Sequence, residues 1–132
     1  MSGHIFPFEY LPAFIRHEIG EIQRYYEEQR QLTILYFHLD RDTEAIHAEL
    51  EGALRECDAI FHRQGDFFLV LPGTDKEGGL HVGGMMAEAF DRNVNEVAAT
   101  WPEDGNEESE LMSALVEYAR HHHALDLEEI RP

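Results

Sequence analysis

The chain has 132 residues, 43% of them apolar, and a formal charge of −17. That length suits one folded domain with a real core. That charge excludes a surface for DNA, RNA or anionic membranes, all of which need clustered Lys and Arg. A small anionic ligand stays open if one or two arginines are well placed. Cys57 is the only cysteine, which excludes a disulfide framework and a thiolate zinc site. It reads as a small apolar residue at a helix end. The opening residues MSGHIFPFEYLP lack a basic stretch followed by a long apolar one, so they do not read as a signal peptide. No run reaches the eighteen or so apolar residues of a membrane helix. The expectation is a soluble cytoplasmic protein of one domain, residues 1–132.

In chain order, residues 1–12 read as an extended lead-in that packs on the domain. A helix is expected from Ala13 to Gln29, with Phe14, Ile15, Ile19, Ile22 and Tyr26 at helical spacing. Gln31 to Leu39 is apolar, β-branched and aromatic, the pattern of a central strand buried on both faces. Asp42 or Thr43 can cap the next helix. Its apolar face is Ile46, Leu50, Ala53, Leu54 and Cys57. Ala59 to His62 and Phe67 to Leu71 read as two strands. The polar group Arg63-Gln64-Gly65-Asp66 lies between them, with a glycine that can take positive φ.

Thr74 or Asp75 caps a helix running to about Phe90. Gly78, Gly79, Gly83 and Gly84 fall inside it, each costing roughly 1 kcal/mol relative to Ala. That helix either packs very closely on something or breaks near Gly83-Gly84. Val94 to Thr100 is a further strand and Trp101 to Gly105 a loop. Ser109 to about His122 is the last helix, and 124–132 is a tail. A hairpin with helical connections on each side gives an α/β fold of the α+β kind: a central mixed, mainly antiparallel sheet flanked by helices.

Several pieces resemble the GGDEF family, the diguanylate cyclases that make cyclic di-GMP. They run in the family's order from about Leu32 to Arg120. LTILYFHLD is similar to the family's first strand, which ends in Asp-x-Asp. The turn Gln64-Gly65-Asp66-Phe67-Phe68 stands where the signature pentapeptide lies. FFLVLPGTD is similar to the strand and turn that follow. VAATWPEDGNEESELMSAL is similar to the last strand, the Tyr-Pro-x-Asp-Gly loop and the final helix.

The departures fall on the chemistry. In the family the first Asp of Asp-x-Asp binds magnesium, and here that place is His38; Asp40 fits the second. The signature's fourth residue is an acid that also holds metal, and here it is Phe67. The first glycine is Gln64. A shift by one residue would instead match Arg63-Gln64-Gly65-Asp66-Phe67 to the signature and put Asp66 in the acid's place; the upstream spacing favours the first alignment. Between Asp40 and Arg55 there is room for one helix rather than two, and the family's phosphate and guanine elements there are largely absent. So is its opening Asp-x-Leu-Thr-Gly-Leu motif. Phosphoryl transfer rests on positioning and on metal charge beside the phosphates, and hard cations need several oxygen ligands. The expectation is a signalling domain without cyclase activity, catalytic residues, metal or cofactor.

Arg55-x-x-Asp58 survives, five residues before Gln64. At that spacing the family carries its inhibitory cyclic di-GMP site. An arginine fork can hold a phosphate or the guanine Hoogsteen edge, while a carboxylate accepts from guanine N–H groups. The resemblance thus implies a receptor for cyclic di-GMP at Arg55 and Asp58. The alternative is a protein-interaction module that binds no nucleotide. It would contact a protein partner, or itself, through the aromatic N-terminal segment or the Gly-rich helix. His121, His122 and His123 are successive on a helix and point about 100° apart, so they read as a helix C-terminus rather than a metal site. His38 could be a satisfied core histidine. Glu103, Asp104, Glu107, Glu108 and Glu110 read as a solvated acidic loop and first helical turn.

Overall fold

The computed structural model describes residues 5–25, 30–51, 54, 58–90 and 94–131. Its strands are β1 (Ile5–Pro7), β2 (Leu32–His38), β3 (Ala59–Arg63), β4 (Asp66–Pro72) and β5 (Val97–Trp101). Its helices are α1 (Leu11–Tyr25), α2 (Thr43–Glu51), α3 (Lys76–Ala89) and α4 (Glu108–His123). The strands form one sheet in the order β1-β3-β4-β2-β5. Only the β1–β3 pair is parallel among those described. The expected mixed, mainly antiparallel sheet is therefore present.

β2 lies inside this sheet, and Leu32 to Phe37 are fully buried. Side chains alternate across a strand, so β2 feeds two cores. Ile34 and Tyr36 pack with Phe61, Phe68 and the apolar stripes of α1 and α4. Leu35 and Phe37 pack with Ile60, Phe67 and Leu69, against Ile46 and Leu50 of α2 and Met86 of α3. Helices thus cover both faces. Asp42 begins α2, its side chain accepting from the Glu44 N–H at 3.2 Å. Asp75 caps α3 through the Gly78 N–H at 2.8 Å.

Several expectations are corrected. The lead-in is not merely extended: Ile5 to Pro7 form an edge strand on Ile60 to His62, and Phe8 to Tyr10 add a 3-10 turn. Helix α1 accordingly starts at Leu11. Of the two alternatives left open for the Gly-rich helix, close packing holds and α3 runs unbroken. A Cβ at Gly79 would lie 2.5 Å from Thr33 Cγ2, and one at Gly83 would lie 2.9 Å from Glu96 Cβ. Those two glycines let α3 sit almost on the sheet. β5 begins at Val97 rather than Val94 and takes in Trp101. The tail carries a 3-10 turn, Glu128–Ile130, with Leu127 and Ile130 buried in the core. Ala53 and Cys57 lie outside the described residues.

The acidic loop is not simply solvated either. The Asp104 carboxylate is almost fully buried. It accepts from the Thr100 N–H at 2.8 Å and the Tyr118 hydroxyl at 2.5 Å, and it pairs with Lys76 Nζ at 2.8 Å. Glu108 is buried and pairs with Arg16 at 3.0 Å. Glu107 and Glu110 form a reciprocal capping box at the start of α4.

Candidate functional site at the hairpin turn

The turn between β3 and β4 is the tightest kind. Arg63 pairs with Asp66, leaving Gln64 and Gly65 as its two central residues. Both have positive φ, 49° and 85°. That is the type I′ pattern, whose twist matches the strands it joins. Gly65 also lies tight against β2: a Cβ there would come 2.8 Å from His38 Cε1 and 3.0 Å from Asp40 Oδ1. The Gly65 carbonyl accepts from the Leu39 N–H at 2.9 Å, tying the turn to the end of β2.

Register then brings His38 directly opposite Asp66. Asp66 Oδ1 accepts from His38 Nδ1 at 3.0 Å and from the Tyr36 hydroxyl at 2.5 Å. The other ring nitrogen of His38 lies 3.4 Å from Asp40 Oδ1. Burial alone would lower the His38 pKa. The hydrogen bond and charge of Asp66, with Asp40 behind them, outweigh it and raise the pKa above the ordinary histidine value. Burial raises the Tyr36 pKa strongly, helped by its bond to Asp66, so the phenol stays a donor.

On the neighbouring strand the Gly65 N–H donates to His62 Nε2 at 3.1 Å. An accepting Nε2 carries no proton. Burial lowers the His62 pKa, which favours that neutral form. The His62 ring tilts against Phe67 at 4.6 Å.

Phe67 points to the opposite face of the sheet from Asp66. It is fully buried and stacks on Phe37 at 5.3 Å. Phe68 is buried on the Asp66 side, against Tyr36 and Phe8. Of the residues singled out by sequence, His38, Asp40, Gly65 and Asp66 come together, and Gln64 stands exposed at the tip. Asp58 sits half-buried just before β3. Arg55 lies outside the described residues, so the geometry of the Arg55–Asp58 pair does as well. Tyr36 and His62 were missed. The available signal was alternation, which puts Tyr36 on the same face as His38. His38 is not a buried core residue: its side chain is 34% exposed and held between carboxylates.

Chemically this is a carboxylate already held by two protein donors. Among the described residues no three His, Cys, Asp or Glu side chains are placed to hold one metal ion. No described helix is long and apolar enough to cross a membrane.

The arrangement of strands and helices can be set beside known structures. The GGDEF domain of TpbB (also called YfiN) from Pseudomonas aeruginosa superposes with a TM-score of 0.66. The match covers 89% of this chain and 85% of that one, at 15% sequence identity. The fold is that of a GGDEF domain. No family model matches the sequence, and no curated protein sequence matches it significantly. The likeness therefore lies in the three-dimensional arrangement, with the hairpin turn at the place where the sequence resembles the signature.

Proposed function

We propose that this chain is a GGDEF-like signalling domain that makes no cyclic di-GMP and acts as a receptor for it. One observation carries the catalytic half: the His38–Asp66 pair. In the cyclases that the sequence resembles, the His38 position supplies an acid to magnesium. Here it supplies a ring whose pKa is raised and which already bonds Asp66. The Asp66 carboxylate of the hairpin thus meets a ring from β2. Phe67, at the second acid's position, is buried in the opposite core and offers no oxygen. Two-metal phosphoryl transfer needs oxygen ligands on both ions, and this hairpin has lost them.

The receptor half rests on Arg55-x-x-Asp58 and on Asp58 standing at the start of β3, close in sequence to the turn. A guanidinium with a carboxylate three residues on in sequence suits a phosphate together with a guanine edge. Calorimetric titration with cyclic di-GMP tests it. The wild type should bind, and Arg55→Ala should lose that binding. No heat with the wild type would remove the receptor reading. Binding unchanged in the variant would move the site elsewhere.

A second reading, a protein-contact module, is favoured by the exposed aromatics of the N-terminal segment. Phe6 is 43% exposed and Tyr10 58%. Phe6 lies in β1, at one edge of the sheet, and Tyr10 in the 3-10 turn that follows it. Under this reading Phe6→Ser with Tyr10→Ser weakens self-association or partner binding and leaves nucleotide binding unchanged.

A further inference from the structure

We propose that residues 126–131 form a strap that two copies of this chain exchange, each seating its strap on the other. This is independent of the function proposed above. The starting point is a helix that stops without a stop signal. Helices commonly end at a glycine in the left-handed region, with a proline soon after. Between Gly105 and Pro132 the chain has neither residue. The three histidines suit the negative end of α4 but do not break a helix. Yet α4 ends at His123, and Ala124 turns into the left-handed region with φ 53° and ψ 32°. An alanine adopts that conformation at a cost that glycine escapes.

The sequence beyond the turn is itself helical in pattern. Met112, Val116 and Ala119 are buried members of α4, three or four residues apart. Positions 123, 127 and 130 continue that spacing. Two of these are Leu127 and Ile130. Ala124, Leu125, Leu127, Glu128 and Glu129 are good helix formers. The local sequence thus favours a straight α4, and tertiary packing bends the chain back.

Leu127 and Ile130 are each 5% exposed and belong to the core shared by α1 and α4. Around them Glu129 pairs with Arg63 at 2.7 Å, and Glu128 pairs with Arg120. Arg131 reaches Glu117 at 2.6 Å and Glu128 at 2.9 Å. Ion pairs this exposed contribute little each, so the two apolar side chains hold the strap. A straight α4 relieves Ala124 but strips Leu127 and Ile130 of their seat. Two copies resolve that conflict together. Both hinges open at Ala124, and each seat takes the other copy's strap, so its contacts are remade between chains. A short, strained hinge invites such exchange. A second copy is the occupant because the seat already holds this segment. Arg63 immediately precedes the hairpin turn, so the exchange ties one copy's tail to the other's hairpin.

The test is light scattering after gel filtration of the full chain at rising concentration. High salt screens the repulsion between chains of charge −17. A dimer should grow in with concentration. Ala124→Gly keeps the left-handed turn and removes its strain, and should lower the dimer association constant about tenfold. Phe6→Ser with Tyr10→Ser should leave that constant unchanged. Carbon-13-labelled and unlabelled chains are then unfolded and refolded together. Isotope-filtered NOEs should connect the Leu127 and Ile130 methyls of one copy to core methyls of the other. A chain that stays monomeric at millimolar concentration would overturn the proposal. So would a dimer that Ala124→Gly does not weaken, or one whose strap NOEs all stay within a chain. A lasting monomer whose strap is displaced by an added peptide of residues 124–131 would assign the seat to another protein instead.

Discussion

Asp66 holds two donors from the neighbouring strand on one oxygen, and its chemistry follows from that crowding. His38 gives Nδ1 to Asp66 and turns its other nitrogen to Asp40. The imidazolium form serves both carboxylates, so folding raises its pKa. The sign follows directly. A group with a raised pKa stabilises fully below its unfolded value, about 6.5, and loses that contribution as pH rises through its folded value. The side chain is about one-third exposed, so solvent screening keeps the effect well under about 1 kcal/mol. NMR titration of the His38 ring should therefore give a midpoint above 6.5. Asp66→Asn should bring it down. A midpoint at or below the ordinary value in the wild type would contradict the paired geometry. Nothing in the order of residues announces this pair, because it depends on which residues of β2 and β4 face each other. His38 could be read as a core residue only because β2 is otherwise so apolar.

Among the elements, α3 carries the sharpest contrast. Gly79 faces Thr33 so closely that an added methyl would reach within 2.5 Å of Cγ2, while Gly84 has nothing within 4 Å. Thr33 cannot readily yield. Its hydroxyl donates to the Thr74 carbonyl at 2.7 Å and meets the Thr100 hydroxyl at 2.8 Å. Gly79→Ala should destabilise the chain by about 1–3 kcal/mol through overpacking. Gly84→Ala should stabilise it by about 0.5–1 kcal/mol, since only helix propensity changes. Urea unfolding of both variants checks this; equal effects would mean that α3 is not seated as described.

The loop after β5 joins α3 to α4 through Asp104. Burial would raise its pKa, but bonds from Lys76, Tyr118 and the Thr100 N–H outweigh that and lower it. Asp104→Ala should cost about 1–3 kcal/mol by stranding those donors. The wild-type contribution is present above about pH 4 and disappears as pH falls through the lowered pKa. Acid unfolding of the variant should therefore show a smaller loss of stability over that range than the wild type. The run of acids around Asp104 reads as solvated because composition does not reveal which carboxylate turns inward onto Lys76, 28 residues away along the chain; Lys76 and Tyr118 reach it only through the fold.

At the scale of the whole molecule, the central strand, the hairpin and the last helix could all be read from local pattern. β2 is apolar without interruption, Gly65 supplies positive φ, and Leu111, Met112, Leu115 and Val116 keep helical spacing. β1 could not. It has three residues, ends in proline, and exists through a parallel pairing with β3. The resemblance to a cyclase scaffold was legible in short motifs, and the superposition bears out the fold. The proposed place of Arg55 rests on the sequence motif alone.

On the function proposed above, an internal histidine–aspartate pair and a buried phenylalanine stand where the resembled cyclases hold metal through carboxylates. The most direct measurement is incubation of the purified chain with GTP and magnesium, with the product mixture analysed by mass spectrometry beside an active cyclase. GTP should persist and no cyclic di-GMP should form. Accumulation of cyclic di-GMP in proportion to the amount of this chain would contradict it.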